Sequence, residues 1–300
     1  VTRVLVTGGT GYVGRFIVEG LLAEGCEVTV AGRTAPDEGM FSKPVGFRPF
    51  DLDPQTELAP LFDDIDHCVH AAFHHVAGKY RGGEGDDPTG FLRRNAAGSA
   101  ALFLAGRSAG VKRTVFLSSR AVYGQQEAGA QLCESMTCLP DTLYGQIKLQ
   151  AEDALAGLAS ERFIAASLRV TGVYGQPRPG AAHKWQGLFA DYLAGKAIEP
   201  RAGTEVHGRD LATAVWRMLC APADEVNGKI FNVSDLLVDH RDLLRLVQSA
   251  KRVGHLLPER ARSLPNAVDT TKLRRLGWSP GGVALLRESV RSALFEHEGL

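Results

Sequence analysis

The chain has 300 residues, 44% hydrophobic and 23% charged, which suits a folded protein with one large core and room for a smaller lobe. Lys plus Arg and Asp plus Glu both number 34, so no basic field exists to hold a nucleic-acid backbone, and no nucleic-acid partner is expected. There is no run of 18 apolar residues and no leader-like start, and the five cysteines (Cys26, Cys68, Cys133, Cys138, Cys220) form no Cys-x-x-Cys pair, so a cytoplasmic protein with no membrane partner and no metal site is expected. Along the chain, β-branched runs at 3–7, 27–31, 46–50, 66–71 and 113–117 alternate with helical patterns at 12–24 and 89–109. That rhythm predicts an α/β fold on a parallel sheet. Val13, Ile17, Val18, Leu21 and Leu22 recur at helical spacing, and Gly25 stands where a left-handed cap belongs. After Leu168 the rhythm breaks. A turn-rich stretch at 175–180 precedes amphipathic helices at 188–193, 243–250 and 283–295 that have no regular strand partner.

The first strand ends in Gly8-x-x-Gly11-x-x-Gly14 and runs straight into a helix. Glycines let backbone approach a pyrophosphate, and the helix N-terminus offers N–H groups and the positive end of its dipole. The expected architecture is a Rossmann-type, doubly wound parallel sheet over residues 1–175, joined again by 207–235. Residues 176–206 and 236–300 form a small, mostly helical substrate lobe. An NAD site places a carboxylate at the end of the second strand for the ribose 2′-hydroxyl. Here Gly32 is followed by Arg33, a planar fork of donors suited to a 2′-phosphate, so NADP(H) is favoured over NAD(H). Asp51, with Leu52, either meets the adenine edge or caps its own turn.

Ser119, Tyr144 and Lys148 follow at the spacing of a hydride-transfer site. On a helix over 142–158, Tyr144 and Lys148 are i and i+4 and share a face. An adjacent ammonium favours a phenolate, which draws Tyr144 towards general acid/base work. Ser119 ends the strand at 113–117, on the carboxyl edge where ligands of parallel sheets bind. One hydroxyl of the Ser118-Ser119 pair does no more than cap the turn.

Taken in order, Thr7-Gly8-Gly9-Thr10-Gly11-Tyr12-Val13-Gly14, Asp51-Leu52, His70-Ala71-Ala72, Ser118-Ser119, Tyr123-Gly124, Tyr144-x-x-x-Lys148, Leu168-Arg169, Val173-Tyr174-Gly175, His207-Gly208-Arg209-Asp210 and Leu276-Gly277-Trp278 resemble the motifs of an extended short-chain dehydrogenase/reductase. The branch resembled is the NAD(P)-dependent epimerase/dehydratase-like family, over about the whole chain. The resemblance implies that Ser119 is the catalytic serine and that Lys148 also holds the nicotinamide ribose. It further implies that Tyr12, Val13, Ala71, Ala72 and Asn95 border the cofactor, and that two copies pair through the helices at 89–109 and 142–158 as a homodimer.

Two departures narrow the chemistry. Where the family's dehydratases set an Asp-Glu pair beside the catalytic hydroxyl, this chain has Arg120 and Ala121. Where its nucleotide-sugar epimerases carry an arginine, Gly203 and Thr204 stand, with only Arg201 nearby, which argues against a diphosphate-linked substrate. The segment 74–87, with four glycines, leaves the carboxyl end of a strand and is read as a polar lid. His74, Tyr80, Arg81, Arg169 and Trp185 are the residues expected to face a small-molecule substrate. The leading expectation is an NADP(H)-dependent oxidoreductase acting on a secondary alcohol or carbonyl of a small polar, sugar-like substrate. A (nucleotide-)sugar epimerase with transient oxidation is the alternative, and a non-catalytic NADP(H)-binding redox sensor the reading from another class.

Overall fold

Strand β1 (Arg3–Thr7) divides the core: Val4 and Val6 enter one apolar layer and Leu5 the opposite one, as the two-residue period of a strand requires. In the computed structural model, residues 1–76 and 83–295 are described. After β1 come α1 (Tyr12–Ala23), β2 (Glu27–Gly32), β3 (Gly46–Pro49), β4 (His67–His70), α2 (Pro88–Leu92), α3 (Gly98–Ser108), β5 (Arg113–Ser119), α4 (Leu143–Ala156), β6 (Ile164–Val170) and β7 (Gly172–Tyr174). The second half runs α5 (Gln186–Leu193), β8 (Ala202–His207), α6 (Gly208–Cys220), α7 (Ala223–Val226), β9 (Lys229–Val233), β10 (Leu236–Asp239), α8 (His240–Lys251), α9 (Thr271–Arg274) and α10 (Gly282–Phe295).

Seven parallel strands make the main sheet in the order β3-β2-β1-β4-β5-β6-β9. The order reverses between β1 and β4, so the turns after these two strands flank a crevice at the carboxyl edge. Helices α1 and α6 cover the face reached by Val4, close enough that a Cβ on Gly20 would lie 2.6 Å from Ala212 Cβ. Helices α3 and α4 cover the face reached by Leu5.

The structure differs from the expected elements in three places. Strand β5 extends to Ser119, carrying that hydroxyl to the end of the ladder, where Ser119 pairs with Val170. The helix expected at 89–109 is interrupted by a π turn, Arg93–Ala97, that separates α2 from α3. The small lobe also has a sheet of its own, β10-β8-β7, with β8 parallel to β7 and antiparallel to β10. Its strands have three to six residues, too short for alternation to show in a sequence such as Ala-Gly-Thr-Glu-Val-His. Residues 271–278 turn back to the main core, where Trp278 is buried and its indole N–H donates to Asp210 O at 2.8 Å.

Candidate active site

Three glycines shape the turn after β1, Gly8 and Gly14 each for a steric reason. Gly8 has φ +71, and a Cβ there would lie 2.7 Å from Ala72 Cα. A Cβ on Gly14 would lie 2.1 Å from Gly8 O, so the first turn of α1 can pack on the loop only as glycine. Gly11 precedes α1 in extended conformation, and no side chain caps the helix, which leaves its N-terminal end suited to an anion.

Beneath this turn runs a buried polar relay. The Ser99 hydroxyl donates to Asn95 O, so its oxygen accepts from His70 Nε2 at 2.9 Å. His70 Nδ1 then accepts from Thr7 Oγ1 at 2.7 Å, and Thr7 Oγ1 accepts in turn from Ala72 N–H at 3.3 Å. Burial, reinforced by the Lys148 charge, pushes His70 down to about 3 and keeps it neutral, as this pattern requires. Asn95, inside the π turn, accepts from His74 N–H at 2.7 Å and donates to His74 O at 2.8 Å and Phe91 O at 2.9 Å. The relay thus ties β1, the loop after β4 and the π turn into one unit beside the crevice.

Helix α4 delivers the tyrosine and lysine. The Thr142 hydroxyl caps it, accepting from Gly145 N–H at 3.1 Å, and a Cβ on Gly145 would lie 2.5 Å from Ala121 O. That contact seats α4 on the turn that follows Ser119. Lys148 is buried, donates to Leu117 O at 2.7 Å, and lies 4.8 Å from the Phe73 ring centre and 5.8 Å from that of Tyr144. Burial pulls its amine down to about 7, with the Glu152 carboxylate acting against the fall. Phe73 stands edge-on to Tyr144, their ring centres 5.0 Å apart. Sequence reasoning gave Phe73 no role, because an apolar residue just past a strand carries no periodic signal.

The two serines separate. Ser119 is half-buried, and its Oγ accepts from Ala121 N–H at 3.1 Å. Ser118 points inward, donating to Glu152, which holds Arg169 through Nη2–Oε2 at 2.7 Å. Arg169 is therefore not at the substrate edge where it was expected. Its guanidinium is buried, 4.8 Å from the centre of the Tyr123 ring, because a charge in this interior needs its carboxylate partner. Trp185 is corrected likewise: it is buried in the lobe core and stacked on Tyr174 at 5.0 Å, where its large apolar area is covered. The His74 backbone is held by Asn95, and its half-buried ring meets Arg94 Nη1, 3.2 Å from Nε2. Tyr80 and Arg81, and with them the middle of the expected lid, lie outside the described residues.

Arg33 and Asp51 are exposed at the ends of β2 and β3. Burial and the Arg94 and Arg33 charges lower His74, with the Asp51 charge acting against them. The Asp51 carboxylate accepts from Leu52 N–H at 2.9 Å, and Leu52 itself is buried against α3.

A glycine-cradled turn at the switch point of a parallel sheet, with a Tyr-Lys helix packed beside it, defines a nicotinamide-dinucleotide enzyme. The family model described as NAD dependent epimerase/dehydratase family matches residues 4–234, and the chain belongs to that family. It is 29% identical to the dTDP-6-deoxy-L-talose 4-dehydrogenase (NAD(P)(+)) of Kitasatospora kifunensis, over 96% of this chain and 93% of the relative. It is 34% identical to the UDP-glucose 4-epimerase of Streptomyces lividans, over 53% of this chain and 48% of the relative. Among solved structures, the UDP-glucose 4-epimerase of Thermus thermophilus, a complex with NAD, superposes with a TM-score of 0.78 at 27% identity, covering 99% of both chains. The Gly8, Gly11 and Gly14 cradle and the uncapped helix end fit such a dinucleotide. No described helix is long and apolar enough to cross a membrane.

Proposed function

We propose that the chain moves a hydride between NADP(H) and a secondary alcohol or carbonyl of a small, sugar-like substrate. Tyr144 serves as acid/base, Ser119 as anchor of the reacting oxygen and Lys148 as the group that tunes Tyr144. When bound, the nicotinamide supplies the hydride donor or acceptor. The observation that carries the reading is the seat of Lys148: a buried amine fixed on Leu117 O near the end of β5, 5.8 Å from the centre of the Tyr144 ring, where burial pulls it down to about 7. From there its charge can favour the Tyr144 phenolate while Ser119 donates a hydrogen bond to the substrate oxygen. The substrate lobe is taken as residues 176–206 and 236–300, completed through its sheet by β7 and by His207 at the end of β8, with 271–278 packed back on the main core.

A second reading, the sugar 4-epimerase, is favoured by the names of the relatives. Both readings share the removal of a hydride from a carbinol; an epimerase returns it and leaves no net change in nicotinamide absorbance. Tyr144→Phe keeps the ring and removes the proton, so turnover should fall at least ~100-fold with cofactor affinity little changed. Loss of cofactor affinity instead would make Tyr144 structural and sink the reading.

The preference for NADP(H) is our reading of Arg33, whereas the Thermus relative holds NAD. Arg33→Ala should weaken NADPH roughly 10- to 100-fold and leave NADH unchanged. An unmodified protein that prefers NADH refutes the assignment. We further propose a cytoplasmic homodimer, paired through α3 and α4, where Leu104 is exposed; light scattering would test it.

A further inference from the structure

Lys184 and Glu205 meet where the small lobe joins the main sheet. Glu205, in β8, is in register with Gly172 of β7, and Gly172 lies two residues beyond Val170, the partner of Ser119. Lys184 Nζ lies 2.6 and 2.5 Å from the two Glu205 carboxylate oxygens. The contact sits over bare backbone: a Cβ on Gly172 would lie 2.4 Å from Glu205 Oε2 and 2.6 Å from Lys184 Nζ. On the other side, Lys184 N–H donates to Tyr12 Oη at 3.2 Å, and Tyr12 Oη donates to Gly175 O at 2.6 Å. Tyr12 opens α1 directly after the glycine turn. The pair is therefore bracketed by the strand that continues from the partner of Ser119 and by the cofactor turn. The Lys184 side chain is 31% exposed and that of Glu205 9%, so the ammonium faces the open side and the carboxylate lies beneath it.

Away from a glycine turn or helix N-terminus, a diphosphate is held by side chains that bring surplus positive charge. Here the ammonium is already matched by a carboxylate, and Gly203 and Thr204 bring no charge. Burial raises Glu205 above the usual carboxylate range, while Lys184 and Arg201 act to lower it and keep it charged. A cavity of about 460 Å³ at the start of β8 likewise sets Glu199 and Glu259 against Arg201 and Arg262. A partly open ion pair offers acceptors and donors suited to hydroxyl groups.

We propose that Lys184 and Glu205 are the substrate-recognition pair of this cleft, and that they select an uncharged polyhydroxylated ligand, a sugar or sugar-like alcohol without a phosphate. Glu205 accepts from its hydroxyls and Lys184 donates to them. The proposal rests on the hydride-transfer reading for the place of the cleft, and the UDP titration that tests it does not depend on turnover.

The protein saturated with nicotinamide dinucleotide is titrated calorimetrically with UDP, beside Glu205→Gln and Lys184→Met. Removing the carboxylate releases the Lys184 charge, so Glu205→Gln should bind UDP about tenfold more tightly than the unmodified chain. UDP held as tightly by the unmodified chain as by Glu205→Gln overturns the proposal. If Glu205→Gln does not fold, the other two proteins decide: UDP held more tightly by the unmodified chain than by Lys184→Met makes Lys184 a phosphate ligand and overturns it, while equal or absent binding supports it. Galactose and UDP-galactose then form a matched pair for turnover. Turnover of the UDP sugar alone also overturns the proposal; turnover of neither counts against hydride transfer on these sugars and leaves the UDP titration to decide the pair.

Discussion

The cofactor edge and the small lobe are built on opposite plans. At the edge, backbone makes the site: Gly8, Gly11 and Gly14 act through the side chains they lack, and the relay from Thr7 through His70 and Ser99 to Asn95 holds that backbone in place. In the lobe, side chains make the site, with Lys184 against Glu205 and with Trp185, Tyr174 and Phe189 packed behind them. A backbone site recognises what all dinucleotides share. A side-chain site can be changed by one substitution, which suits the part of the enzyme that distinguishes substrates.

The largest expected effect tests whether the lobe is the less robust region. It holds two buried neutral histidines, His183 and His207, against His70 at the edge. Burial is the main cause in each, pushing His183 down to about 4 and both His207 and His70 down to about 3. The unfolded chain takes up protons near 6.5 where the fold does not, so this stability is intact above pH ~6.5 and is lost as pH falls towards the folded values. At pH 5.5 each histidine costs about 1.4 kcal/mol, or about 4 kcal/mol for all three. Calorimetry should show Tm falling between pH 7 and pH 5, with amide exchange rising first in α5 and β8. A flat Tm across that window breaks the comparison.

Next in size is the contrast between two glycines. Gly14→Ala drives a methyl into Gly8 O and should weaken cofactor binding roughly 100-fold, about 3 kcal/mol. Gly25→Ala, at φ +79 with nothing within 4 Å, should cost about 1 kcal/mol of stability from backbone strain and leave cofactor affinity alone. Equal effects on affinity would mean that the turn is not the cradle.

The smallest effect separates the paired serines. Ser118→Ala leaves the buried Glu152 short of a donor and should lower stability by about 1–3 kcal/mol. Ser119→Ala, which loses only the bond from Ala121 N–H, should lower Tm less than Ser118→Ala while slowing turnover about tenfold or more. The reverse pattern would exchange their roles.

Sequence by itself determined the parallel sheet, the glycine turn and the Tyr144-Lys148 face, because each depends on local period or local sterics: two residues per strand repeat, four along a helix, no Cβ at a close approach. It singled out Ser119 only through the family resemblance, left Ser118 as no more than a turn cap, and gave Phe73 and Glu205 no role. Only the tertiary structure decided those. A seven-residue β5 alternates its side chains, so Ser118 turns to the buried Glu152–Arg169 pair and Ser119 to the edge. Arg169 and Trp185, expected at the substrate, were drawn inward by partners distant in sequence, a carboxylate for the one and the Tyr174 ring for the other. Charge compensation and apolar burial act between residues that only the fold brings together, and for that reason the cofactor turn was legible in the chain while the substrate side of the cleft was not.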